Sequence, residues 1–343
     1  MSRAIVFSIM HKIDREEKEI PEKGRSEEEV IGYVEALMTD ILENRNFKRY
    51  KPVSETNEVT RLVGDMVESE SLIENMEHNI AKRYLDAEIK GQEMAERLNK
   101  EVRRGYLIEA LIKDETVENI QYYYFISKVE VDAYFDEQEM HRRIGMPYGD
   151  KALKTCLYEF SEEKTRNDIF IQDKSNSKYW IKDFLELEEC NSNENMTKDM
   201  YDLLEKAIHR KTKKSLVDYY NLRNNLITYF QSPRNFRIDE MEDIVFGNYI
   251  PEEKTVDIKE IKDSIRDSVR NKKLDTAFEI KPDIVKKKFK RVVKVNEFVT
   301  IQLVKGSERY QDKIVSKENE GKKYIIIETN EDEAFKMFNR KER

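Results

Sequence analysis

Apolar and β-branched residues crowd together over residues 3–13, RAIVFSIMHKI, which predicts a strand ended by the acidic turn before Ile20-Pro21. Ser26 and Glu29 then stand at capping-box spacing. Val30, Val34, Leu37, Met38 and Ile41 follow at three- and four-residue steps, so a helix with one apolar face is expected there. After a loop around Pro52, residues 58–98 carry a longer helical pattern. Ile73, Met76, Ile80 and Tyr84 form its apolar stripe, and Gly64 and Gly91 are its weak points.

From residue 104 the period shortens. Residues 104–113 and 118–127, rich in Tyr, Ile and Val, bracket the polar turn DETVEN and read as a hairpin. Further strands are expected at 128–135 and 152–160, separated by the GMPYGD loop at 145–150. Helical spacing returns at about 195–210, with Tyr201, Leu204 and Ile208 inward, and at about 213–230, with Leu216, Tyr220, Ile227 and Phe230 inward. Shorter helices follow near 237–246 and 257–270, the latter marked by Ile258, Ile261, Ile265 and Val269. Asp283 is placed to cap a helix in which Val285, Phe289, Val292 and Val293 share a face. A β-meander over 297–304, 310–316 and 322–328 is expected next, with a turn at Lys305-Gly306, a loop around Gly321 and a closing helix at 331–340.

These elements predict an α+β protein: an antiparallel sheet with helices laid on a face, followed by a smaller C-terminal region of helices and a β-meander. Pro233 marks the expected boundary, giving an N-terminal α+β domain over 1–232 and a C-terminal one over 233–343. The length of 343 residues and a hydrophobic content of 38% allow real cores at this size. Cys156 and Cys190 are far apart in sequence with no CxxC or Cys/His pairing, which predicts free thiols and no zinc site. The apolar run Ile5 to Met10 is too short for a signal segment, so a cytoplasmic protein without a membrane span is expected.

Charge changes the picture most. The chain is acidic, with a formal net charge of −8, yet residues 281–294, KPDIVKKKFKRVVK, hold seven Lys/Arg against one Asp. A second stretch, Lys206 to Arg223, holds six against Asp218 alone. Taking these local charges of +6 and +5 from the total leaves the remainder at −19, so positive charge is segregated. Segregation of this kind is the footprint of a surface that meets polyanions. The candidate contacts are Lys286, Lys287, Lys288, Lys290 and Arg291 in one segment and Arg210, Lys211, Lys213 and Lys214 in the other. Lysine outnumbers arginine in both, which suits point contacts with phosphates and binding without sequence preference. Tyr219, Tyr220 and Tyr310 are nearby rings able to stack on bases.

Other chemistry finds little support. His11, His78, His141 and His209 are isolated from one another, and no phosphate loop or GxSxG motif occurs. Asp267 with Glu279-Ile280-Lys281 resembles the carboxylate and lysine set of a magnesium-dependent nuclease. Glu-x-Lys, however, begins at seven positions or more, from Glu16 to Glu320, so one occurrence carries little weight. No catalytic residue, metal or cofactor is expected.

Several segments resemble the bacterial 37-kDa nucleoid-associated protein family. The likeness lies in the opening RAIVFSIMHKIDREEKEI, the helix SEEEVIGYVEALMTDIL, the GYLIEALIK arm, the segment VEVDAYFDEQEMHRRIGMPYGDKALKTCLYEF, the stretch DIFIQDKSNSKYWIKDFLELEEC and the strand EFVTIQLV. The resemblance implies association with the nucleoid and nucleic-acid binding. It adds Lys174 and Lys178, in a loop leading to the aromatic helix with Phe184 and Leu185, as further contacts. The expected function is therefore DNA binding, with RNA and a homodimer as open alternatives. A protein-interaction or phage-response factor docking an acidic partner is the second reading, and a metal-dependent nuclease the third.

Overall fold

The computed structural model describes residues 3–16, 18, 20, 28–43, 46–97, 99, 102, 104–116, 119–136, 141–146, 152–173, 177–289, 291–303 and 313–339. They form two compact units, Met1–Pro282 and Asp283–Arg343. In chain order the first holds β1 (Arg3–Ile13), α1 (Glu28–Glu43), β2 (Lys48–Pro52), α2 (Glu58–Glu68), α3 (Ile73–Glu96), β3 (Gly105–Asp114), β4 (Gln121–Glu130), β5 (Asp132–Asp136) and β6 (His141–Gly145). It continues with β7 (Ala152–Phe160), β8 (Arg166–Asp173), β9 (Leu187–Glu189), α4 (Asn193–Lys211), α5 (Leu216–Phe230), β10 (Asn235–Arg237), α6 (Ile238–Phe246), α7 (Ile258–Asn271) and β11 (Ala277–Glu279).

The architecture is α+β. Seven strands pair in the order β1-β3-β4-β7-β8-β2-β9, and each recorded pairing is antiparallel. Alternation along β3 and β4 sends Leu107, Leu111, Tyr124 and Ile126 to one face and Ile108, Ala110, Ile112 and Phe125 to the other. The first face is covered by α2 and α3, through Val63, Met66, Ile80 and Tyr84. The opposite face receives Val34, Leu37, Met38 and Ile41 of α1. Helices thus lie on both faces rather than on one, which explains why the central strands are buried almost without interruption and read as continuous apolar runs.

The long helical pattern at 58–98 is broken, and not at its glycines. Ser69 is extended (φ −134°, ψ 104°) and a short 3-10 turn at Glu70–Leu72 leads into α3, while Gly64 and Gly91 sit inside their helices. Gly91 has a packing role: a Cβ there would lie 2.7 Å from the ring of Tyr179, so its absence lets a π-helical turn, Tyr179–Phe184, lie against α3. Strands β2, β6, β8 and β9 are not marked by the periodicity. The loop expected around Pro52 is partly β2, joined to the sheet by β8 and β9.

The first unit runs past the boundary expected at Pro233. Asn46 Nδ2 donates to Asp239 (2.8 Å), Phe47 N–H to Thr276 Oγ1 (2.9 Å) and Arg49 N–H to Asp275 (3.0 Å), fastening later segments to the start of β2. The Phe236 and Phe278 rings of the β10–β11 ladder stack at 4.6 Å. In α4, Tyr201, Leu204 and Ile208 are buried as their spacing requires. In α5, Leu216 is exposed instead, because the Ser215 cap sets the helix phase and turns its first residue to solvent.

The second unit comprises α8 (Pro282–Val285, whose first residue closes the first unit), a 3-10 turn at Lys286–Phe289, β12 (Arg291–Lys294), β13 (Thr300–Leu303), β14 (Ile314–Asn319), β15 (Lys322–Ile327) and α9 (Asp332–Phe338). The helix expected from Asp283 through Val293 does not form as one piece. Val292 and Val293 are in a strand paired with Ile301 and Gln302, where β-branched residues are favoured. The β-meander is likewise two separate hairpins, β12–β13 and β14–β15. Glu320 (φ 50°) and Gly321 (φ 73°) make the two-residue turn of the second, with both torsions in the left-handed region. The turn expected at Lys305-Gly306 lies outside the described residues.

Candidate nucleic-acid interface

The best-defined basic surface is the junction of α4 and α5. The last turn of α4 carries His209, Arg210 and Lys211, where the negative end of the helix dipole favours cations. Thr212 Oγ1 donates to the Ile208 carbonyl (2.8 Å) and closes the helix, and Ser215 Oγ accepts from Asp218 N–H (3.2 Å) to open the next. Lys213 and Lys214 are left exposed between the two caps. Lys206 and Arg210 are exposed on α4; Arg210 donates to Ser264 Oγ of α7, a neutral partner that leaves its charge intact. Lys211 differs, because its ammonium is paired with Glu260. Arg223 is similarly bound by Glu205 at 2.6 Å.

Buried Asp218 stiffens this junction. It accepts from the Tyr249 hydroxyl (2.6 Å) and from the N–H groups of Glu252 (2.8 Å) and Glu253 (3.1 Å). Burial alone would raise its pKa, but these donors together with Ser215 outweigh that and hold it low. The two tyrosines are less available than their positions suggest. Tyr219 is half-buried with its ring 5.1 Å from His209 and 5.2 Å from Tyr220, so packing already occupies part of its surface.

In the second unit the lysines do not share a helical face, since the chain passes from one helical turn through a 3-10 turn into β12. Lys286 lies 3.8 Å from Asp283, Lys287 is exposed and Lys288 is half-buried. Lys290, Lys174 and Tyr310 lie outside the described residues, and Arg291 is the first residue of β12. Lys178 is exposed immediately before the π-helical turn, whose Tyr179, Trp180 and Phe184 are buried against α3. The two basic segments belong to different units.

The groups missed by sequence reasoning lie inside the first unit. Lys128 Nζ donates to Glu88 Oε1 at 2.8 Å with both side chains 1% exposed. Lys154 stands opposite Lys128 across β4 and β7, over the Tyr179 ring. Burial lowers the pKa of both lysines; Glu88 opposes the shift at Lys128, and Asp173 and Glu130 oppose it at Lys154. A second polar group joins His11 to Glu109 at 4.0 Å, with the Tyr124 hydroxyl donating to Glu109 at 2.7 Å. Burial, with nearby His78, pushes His11 down to about 4, and burial pushes Glu109 up to about 8. A signal was present: in QYYYFISKVE, Lys128 shares strand phase with Tyr124 and Ile126, and in GYLIEALIK, Glu109 shares phase with Leu107 and Leu111.

Two further features bear on chemistry. A cavity of about 380 Å³ is bordered by Lys48 and Arg237, but Lys48 is already held by Glu189 (2.6 Å) and Asn193 (3.0 Å). Glu279, of the nuclease-like fragment, is ion-paired with Lys281 at 2.7 Å. Among the described residues no three His, Cys, Asp or Glu side chains converge to hold a metal ion. Nor is any helix among them long and apolar enough to cross a membrane. No protein-family model matches the chain, and no curated protein matches it significantly in sequence.

Proposed function

We propose that the protein binds DNA, largely without sequence preference, through the lysine-rich junction of α4 and α5. The observation that carries this reading is the group Lys206, Arg210, Lys213 and Lys214, exposed around two capped helix ends with no carboxylate bound to them among the described residues. Rigid caps fix the backbone, while the long side chains remain free to follow a phosphate backbone. Affinity would come from phosphate neutralisation and counterion release, which needs no base-edge contact. Lys287 in the second unit and Lys178 before the π-helical turn are secondary contacts. The resemblance to the 37-kDa nucleoid-associated family points the same way, and placement at the nucleoid belongs to this proposal.

Fluorescence anisotropy with a mixed-sequence duplex at several salt concentrations tests it. Lys213→Glu/Lys214→Glu weakens binding and lowers the log-log salt slope by about two, roughly one for each phosphate contact removed. Unchanged binding and slope in that variant would remove the junction from the interface.

A further inference from the structure

Among its described residues the second unit has almost no interior. Among its described side chains only Val285 is buried, while Phe298, Phe335, Met337 and Phe338 are strongly exposed. Tyr324, Ile325, Ile326 and Ile327 of β15 are also exposed, on a hairpin that is a two-stranded sheet by itself. An isolated hairpin is marginal in water, and an apolar strand with a free edge is a template for further pairing.

The hydrogen bonding of the hairpin shows which groups are free. Glu328 N–H donates to the Lys313 carbonyl (2.8 Å), and the ladder pairs Ile327 with Ile314 and Lys322 with Asn319. With a period of two, Lys322, Tyr324, Ile326 and Glu328 turn their backbone groups toward β14, and Lys323, Ile325 and Ile327 turn theirs to the open edge. Among the described residues nothing pairs with that edge.

The edge sequence, Lys322-Lys323-Tyr324-Ile325-Ile326-Ile327-Glu328, is complementary to itself when reversed about Ile325. Pairing two copies antiparallel about that centre puts Ile325 opposite Ile325 and Lys323 opposite Ile327, so outward N–H and C=O groups meet outward ones. The same register puts Tyr324 opposite Ile326 and Lys322 opposite Glu328. Glu328 binds Lys313 of its own hairpin through Oε1 (2.6 Å), leaving Oε2 for the second cation.

We infer that β15 is a homodimerisation edge, at which two copies of this chain join their hairpins into one four-stranded antiparallel sheet centred on Ile325. The occupant is a second copy because the charges at the two ends of the strand match only on reversal. A register slipped by one residue would set outward backbone groups against inward ones, and a slip by two would lose the Lys322 to Glu328 match. On one side of the joined sheet Ile325 meets Ile325 of the second copy with Lys323 opposite Ile327, and on the other Tyr324 meets Ile326.

The test uses the full chain and three substitutions. In a Cys190→Ser background, which removes the exposed native thiol and leaves buried Cys156, Ile325→Cys is expected to form an interchain disulfide on mild oxidation. Residues facing each other in a hydrogen-bonded pair have Cα atoms about 5.5 Å apart, within the range a disulfide spans. Ile326→Cys, opposite Tyr324 rather than itself, is expected to stay unlinked. Ile325→Pro removes an N–H that only the open edge uses, so it should leave the circular dichroism unchanged and raise the dimer dissociation constant about tenfold or more by sedimentation velocity. A wild-type chain that sediments as a monomer at high micromolar concentration overturns the inference, as does equal cross-linking at positions 325 and 326.

Discussion

The two units handle mismatched side chains in opposite ways. Met1–Pro282 draws charge into its interior: Lys128 and Glu88 are almost fully buried against each other, and Glu109 and His11 share the same sheet face. Asp283–Arg343 does the reverse and leaves Phe335, Met337 and Phe338 exposed. The contrast is one of size as much as sequence. A seven-stranded sheet covered on both faces has enough apolar surface to hold a few paired ions, whereas two small hairpins have none to spare. A charged residue in the large unit is therefore informative when it is buried, and an apolar residue in the small one when it is not.

Breaking the buried ion pair tests that contrast most severely. Lys128→Ala strands the Glu88 carboxylate and should cost about 3–5 kcal/mol in urea unfolding, while Glu88→Leu/Lys128→Met should recover most of the loss. A loss as small as that of a surface substitution would mean the charges are not buried together. Next, Gly91→Ala drives a methyl group against the Tyr179 ring and should cost about 1–3 kcal/mol, observed as a lower urea midpoint with an unchanged slope.

The pH dependence probes the Glu109 and His11 pair. Glu109 stays protonated in the folded protein up to about 8, well above its ordinary range, so the native state holds an extra proton at neutral pH and loses stability as pH rises toward 8. His11 has the opposite sign, since its folded pKa of about 4 lies below 6.5 and stability falls as pH drops through that window. The two slopes offset each other between about 4.5 and 6.5 and leave Glu109 alone above that. Glu109→Gln, which keeps a partner for the Tyr124 hydroxyl, should flatten a fall of roughly 1–2 kcal/mol between pH 6.5 and 8. A fall of equal size in the variant would assign it to other groups. The smallest effect belongs to the second unit: Phe338→Ala at low protein concentration should change unfolding stability by no more than about 0.5 kcal/mol, because an exposed ring has little to lose.

Much of the first unit was legible because its signals are local. The three- and four-residue spacing of Val34, Leu37, Met38 and Ile41 needs only the helix period to be read, and the β3–β4 hairpin needs only its two runs rich in Tyr, Ile and Val and the polar turn between them. The candidate interface was legible to a lesser degree. Charge runs located Lys213 and Lys214, but that Lys211 is neutralised by Glu260 depends on α7, far along the chain. Around Lys286 to Lys290 the helical spacing of the valines was misleading, since the same residues satisfy a strand and pairing with β13 decided the matter.

From its own order of residues this protein has determined its α+β class, most of its long helices, its central hairpin and the segregation of its positive charge. The tertiary structure alone decided which charges are buried, which lysines stay unpaired, that helices cover both sheet faces and that the C-terminal strands form two hairpins. The reason is range: helix and strand periods are set by neighbours a few residues away, while burial and ion pairing depend on partners such as Glu88 and Lys128, brought together only when the chain packs.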